Sequence, residues 1–291
     1  DLVYRLFGVQ VTQVDARSSG WHDGVQLFEL DDLLQGTIGG FYLDLEKSPR
    51  KQRRGLWADL ALSRSTVCGE GGTRLPIAIL AGDIASTGDS VTLLPLQDVL
   101  ALFRAMGRVL QELLTVQDEG LVAGTKGMEL DGRGFPGRWL ELWVYDPEVL
   151  QRIGRHYKTG EAMPEKLVKA VVASETYFSG TMLLEEVEKA QVDLAMHGCL
   201  SNRSYPSLVE RMKGLSKNYT VDPALAKSSH WLCSLESFGD APAAGQYVDL
   251  WDRVMAADSF HNAMQSITQD SDRDAAVLRV GLQFREQVLA P

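Results

Sequence analysis

The 291-residue sequence is short of the residues from which metal and redox sites are built: it has three cysteines and five histidines. Cys68, Cys199 and Cys233 are too few and too scattered for a disulfide framework or a C-x-x-C site, so a reducing compartment is expected. His22, His156, His197, His230 and His261 include no two at metal-ligand spacing, and the one close His/Cys pair, His197-Gly198-Cys199, reads as adventitious. Long apolar runs are also missing. The longest candidate, Val99 to Leu114, is broken by Arg104, Arg108, Gln111 and Glu112, which argues against a membrane span. Positive charge is in deficit, with 29 Lys and Arg against 39 Asp and Glu, a formal net charge of −10. Phosphate contacts need clustered cations, so direct nucleic-acid binding is not expected. The one basic run, Arg50-Lys51-Gln52-Arg53-Arg54, reads as a solvated loop. There is no G-x-S-x-G nucleophile motif, and Gly69-Glu70-Gly71-Gly72 and Gly132-Arg133-Gly134 lack the strand, Lys and helix of a phosphate loop. The sequence begins at Asp1 without Met or a targeting segment, as a processed protein or a part of one would.

What is present is ordinary for a globular protein: 45 % hydrophobic and 23 % charged residues, in a chain long enough for a sizeable core. Up to about residue 95 the pattern is of strands and loops. Gly24 to Leu30 and Gly39 to Leu45 are strand candidates, and Leu75 to Ala81 is a third, fully apolar run. Val67 to Arg74 reads as a loop or hairpin. From Leu96 the period becomes helical. Asp98 to Leu114 carries Val99, Leu102, Phe103, Met106, Val109, Leu110 and Leu113 as one stripe. Further helices are expected over 138–157, 164–180 (Pro164 in its first turn), 181–197, 207–215, 247–265 and 270–289. The expected class is mainly α with a small β-sheet, one domain with a strand-rich part (1–95) and a helical part (96–291).

Several segments, in consistent order, resemble the M3 family of zinc oligopeptidases, which includes thimet oligopeptidase and mitochondrial intermediate peptidase. Trp21-His22-Asp23 followed by Phe41-Tyr42-Leu43-Asp44-Leu45 looks like the family's strand pair, and Leu93-Leu94 leading to Leu102-Phe103 like the approach to its metal helix. Arg155-His156-Tyr157-Lys158-Thr159-Gly160-Glu161-Ala162-Met163-Pro164 is the most specific segment, similar to R-H-Y-x-T-G-x-x-x-P. Phe103, Met106-Gly107 and Gly124-Thr125-Lys126 lean towards the mitochondrial intermediate peptidase branch. The resemblance implies a zincin-like fold and covers the C-terminal half of a family member.

It also implies a site of two His at i and i+4 on one helix, a Glu between them as general base, and a second Glu downstream. Here the His positions fall on Arg104 and Arg108 and the base position on Ala105. A guanidinium has no free lone pair and stays protonated, so it cannot be a ligand. Aligned on Pro136, the third-ligand position falls on Gly134; Glu129 or Glu141 alone makes no zinc site. On the substrate side, the positions where the resemblance implies a His and tyrosines fall on Phe238, Pro242, Gln246 and Asp249, with Tyr247 kept. The expectation is therefore a non-catalytic subunit without metal or cofactor. It would contact other proteins in a larger assembly, by analogy a mitochondrial ribosome, respiratory complex or ATP synthase, with the cytoplasm as the alternative location. Two other readings stay open: an active metallopeptidase with a displaced metal site, or a module that binds peptides without cleaving them. For Arg104 and Arg108, pairing with Glu129, Glu141 or Glu185 is preferred to a recruited site for an anion or acidic peptide.

Overall fold

The computed structural model describes residues 1–15, 20–49, 51, 55–66, 72–85, 91–198, 205–219 and 243–290. A short helix α1 (Leu2–Phe7) ends at Gly8, whose φ of 66° closes the turn, and leads into a five-stranded sheet. The strands are β1 (Val9–Val14), β2 (Gln26–Asp32), β3 (Gly36–Glu46), β4 (Trp57–Leu62) and β5 (Ile77–Ala85), in the spatial order β1-β2-β3-β5-β4. Only the β3–β5 pairing is parallel. Among the described residues β4 pairs on one side only, with β5, so it forms an edge.

The helical part follows. Helix α2 (Leu96–Leu113) lies across the sheet, packing on β3, β4 and β5. Then come α3 (Phe135–Leu142), α4 (Pro147–Ile153), α5 (Glu165–Ser174), α6 (Ser179–His197), α7 (Tyr205–Ser216), α8 (Val248–Gln269) and α9 (Arg273–Phe284). No helix among the described residues is long and apolar enough to cross a membrane. Sheet and helices share one core: Leu30, Phe41 and Leu80 from strands pack in the same cluster as Val109, Leu110, Trp139, Val277 and Phe284. Trp139 stacks on Phe284 with ring centroids 4.0 Å apart, and Trp139 and Trp143 each meet Phe260 edge-on. An ionic knot ties α1, α4 and α9 together: Glu148 receives Arg5, Arg152 and Arg273. Burial alone would raise its pKa, but the three guanidinium groups hold it down to about 2.

The strand expectations at 24–30, 39–45 and 75–81 match β2, β3 and β5, and the class, mainly α with a small sheet, is as expected. Three details differ. The helix expected over 138–157 is broken at Asp146-Pro147, where Asp146 caps α4 by accepting from the backbone N–H groups of Glu148 and Val149, and residues 155–162 form a turn closed by an Arg155–Ala162 bridge. The stretch 164–180 is helical only to Ser174. Lys51, expected in a solvated loop, instead donates to the Asp44 carboxylate at 2.5 Å and to the carbonyls of Asp44, Glu46 and Gly82; the rest of its basic run lies outside the described residues. Asp44 also receives the Trp21 indole N–H at 2.9 Å, which fixes the Trp21-His22-Asp23 segment onto β3. The three cysteines lie outside the described residues.

Candidate functional site

The packing of α2 against α3 decides what Arg104 and Arg108 can each reach. The two helices cross where Gly107 meets Gly137. A Cβ on Gly107 would stand 2.6 Å from the Pro136 carbonyl oxygen, and one on Gly137 would stand 2.7 Å from that of Arg104, so only glycine permits the approach. Glu141, one turn beyond Gly137, is thereby set beside Arg104. The Arg104 guanidinium donates to it twice, Nε to Oε2 at 2.8 Å and Nη2 to Oε1 at 2.7 Å. Arg138 donates to the same carboxylate at 3.0 Å and, with its other face, to Asp249 of α8. Burial works against the Arg138 charge, but Asp249 and Glu141 outweigh it and its pKa is raised. For Asp249, burial pulls upward and Arg138 prevails, leaving it lowered.

Arg108, one turn further along α2, is in a different situation. Among the described residues no hydrogen bond or ion pair is made to its guanidinium. Its pKa is lowered by desolvation first and by the charge of Arg104 next, against the weaker pull of Asp249 and Asp252. The side chain remains open to a cleft of about 350 Å³, which is bounded by Ala58 and Asp59 of β4, Glu112 of α2, Gly134, and Asp249 and Asp252 of α8. Two carboxyls of this cleft hold their protons above the ordinary range. Glu112 is raised by burial, although Thr125 donates to it from both its hydroxyl and its backbone N–H. Asp252 is pushed up to about 6 by desolvation first and the Asp249 charge second, offset only in part by the Gly134 N–H, Arg108 and Arg138. Its Oδ1 is buried and has no hydrogen-bond partner among the described residues.

The positions at which the family carries zinc ligands can be tested on this geometry. Arg104 and Arg108 offer donors only, and Ala105 is packed into the core. Gly134 has no side chain to act as a ligand, and the carboxyl group nearest this point is that of Asp252 on α8, which a Cβ at 134 would have to displace. These four residues do not fit a zinc ion. Among the described residues no group of three or more His, Cys, Asp or Glu is placed to hold a metal.

The other expected positions divide. Glu141 is the partner of Arg104, whereas Glu129 and Glu185 form no ion pair with either arginine among the described residues. Asp249 is engaged by Arg138, and the Gln246 N–H donates to Asp193 at 3.0 Å. Phe238 and Pro242 lie outside the described residues. His156 accepts from the Thr159 backbone N–H in an exposed turn, and His197 sits 2.9 Å from Asp193; neither histidine lines the cleft. Asp252 and Glu112 were not anticipated as site residues. Their signal was spacing alone: Asp252 is three residues after Asp249 and Glu112 four after Arg108, each pair on one helix face.

Comparison with known proteins places this geometry in context. Peptidase family M3 matches over residues 1–291. The chain is 33 % identical over 295 residues to organellar oligopeptidase A, chloroplastic/mitochondrial, of Arabidopsis thaliana, covering 99 % of this chain and 36 % of that protein. It is 32 % identical to the probable cytosolic oligopeptidase A of the same plant (99 % and 41 %), and 28 % identical to its mitochondrial intermediate peptidase (98 % and 39 %). The chain thus spans about two-fifths or less of the length of these relatives. These findings overturn the expectation of a non-enzymatic structural subunit of a mitochondrial assembly: the relatives are named as peptidases, and nothing in them supports a scaffold role. That expectation took side-chain identity at eight positions, four on the metal side and four on the substrate side, as the measure of the whole protein. Those positions speak for their own donor chemistry and not for groups elsewhere.

Proposed function

We propose that this chain, which belongs to peptidase family M3, acts on oligopeptides, taken into the cleft between β4 and helices α2 and α8. The observation that carries this reading is the family match over residues 1–291, with relatives named oligopeptidases along nearly the whole chain. The shape of the cleft agrees with it. Its wall is an edge strand with one unpaired side among the described residues, which offers backbone hydrogen bonds to an extended peptide. Asp252 and Glu112, with raised pKa values, can hold or release a proton nearer neutrality than an ordinary carboxyl. In this reading the fold is zincin-like, and 1–95 and 96–291 are two parts of one domain around a shared core.

Peptide hydrolysis by this family uses a metal-bound water. Residues 104, 105, 108 and 134 supply no ligand, so the peptidase reading requires a metal held by other donors of the whole protein. The test is hydrolysis of short internally quenched peptides by the purified full-length protein, with and without a chelator, beside a metal assay and peptide binding. Cleavage that stops with the chelator is expected. Zinc below about a tenth of stoichiometric, with no cleavage, would remove the hydrolytic part. Absence of both binding and cleavage would sink the reading. The names of the relatives divide between organelles and cytosol, so we place the protein in one of those two, to be decided by cell fractionation.

A further inference from the structure

Arg104 and Arg108 sit one turn apart on one helix, yet the fold neutralises only the first. Arg104 is held bidentately by Glu141, and Arg138 is shared between Glu141 and Asp249. Every carboxylate at the α2–α3 crossing is thereby engaged by another arginine. Arg108 is left pointing into the cleft, repelled by Arg104, with neither an ion pair nor a hydrogen bond among the described residues. A guanidinium is a planar fork of donors that matches a carboxylate in two parallel hydrogen bonds. The groups around it do not supply one: Asp249 is turned to Arg138, Asp252 is buried at the Gly134 N–H, and Glu112 is taken by Thr125.

We infer that Arg108 is a carboxylate-recognition residue, binding the free carboxylate of an oligopeptide that enters the cleft. This rests on the oligopeptide reading above and narrows it to substrates with a carboxylate placed to reach α2. The carboxylate has two sources, the C-terminus and an acidic side chain, with the same chemistry at the guanidinium. Asp59 of β4 lines the same cleft.

The test measures binding of three fluorescent peptides to the full-length protein by anisotropy: one with a free C-terminus, its C-terminal amide, and the amide with an internal Gln replaced by Glu. A free carboxylate in either position should tighten binding about tenfold or more over the plain amide, which also identifies the source. In Arg108→Gln that gap should close, and in Arg108→Lys, which keeps the charge without the fork, it should narrow. Arg104→Gln should keep the gap, because Arg104 is committed to Glu141. Thermal melts of each variant check that the fold is intact, and Arg108→Lys serves if Arg108→Gln does not fold. Equal binding of all three peptides by the wild type, or a gap unchanged in both Arg108 variants, overturns the inference while leaving the oligopeptide reading. Failure to bind any peptide overturns both.

Discussion

Two neighbouring stretches of the site face treat charge in opposite ways. At the α2–α3 crossing, Arg104, Arg138, Glu141 and Asp249 form a closed network in which each charge has a partner of opposite sign. One turn along α2, in the cleft, Arg108 has none among the described residues, and Asp252 is buried with one oxygen unsatisfied among them. The crossing is built as structure. The cleft is left with electrostatic tension that a ligand or a proton can relieve.

The contrast breaks most readily at the crossing. Glu141→Gln removes the carboxylate shared by two arginines, and a loss of about 2–4 kcal/mol in urea unfolding is expected; a change below about 0.5 kcal/mol would mean the network is ornamental. Gly107→Ala should cost about 2 kcal/mol by overpacking at the Pro136 carbonyl, although alanine by itself favours a helix. It should also weaken the Arg104–Glu141 pair, so combining it with Glu141→Gln should give less than the sum of the two losses. A sum within error would separate crossing from pair.

In the cleft the sign reverses. Asp252 has its folded pKa raised to about 6 against an ordinary 3.8, so its contribution to stability is fully present below the lower value and is lost as pH rises through about 6. Asp252→Asn should therefore stabilise the protein above that range, by roughly 1–3 kcal/mol, with the gain shrinking on acidification. A gain independent of pH would point to packing instead of charge. Arg108→Gln should have the smallest effect, within about 0.5 kcal/mol, because a cleft-facing cation with no ion pair among the described residues contributes little to folding. A loss of 2 kcal/mol or more would reveal a structural role and undo the comparison.

The sequence disclosed these regions unequally. Strands β2, β3 and β5 were legible from their apolar patterns, and α2 from its stripe, because burial of one face leaves a period in the residues. β1 also alternates, as Val9-Gln10-Val11-Thr12, but it is only six residues long and directly follows the short apolar helix α1, so its period is brief. β4 is an edge strand with exposed Asp59 and Leu62, and so shows little period. The break at Asp146-Pro147 carried a cap and a helix-starting proline, yet apolar residues on both sides continued the helical pattern across it. In the site, Glu141 was among three candidate partners for the arginines. That it serves Arg104 and leaves Arg108 exposed follows from the Gly107–Gly137 contact, a tertiary fact with no local signature. Asp252 was visible as a helical neighbour of Asp249, but its burial was not.

The contact between Gly134 and Asp252 couples any change at these two positions. A side chain at 134 would meet the Asp252 carboxylate, the far end of a side chain that must turn aside to admit it. That carboxylate also accepts the Gly134 N–H, so the movement would disturb the hydrogen bond as well. A smaller residue at 252 removes the obstacle in advance, whereas glycine at 134 asks nothing of 252. The two positions are therefore contingent on each other in one direction only.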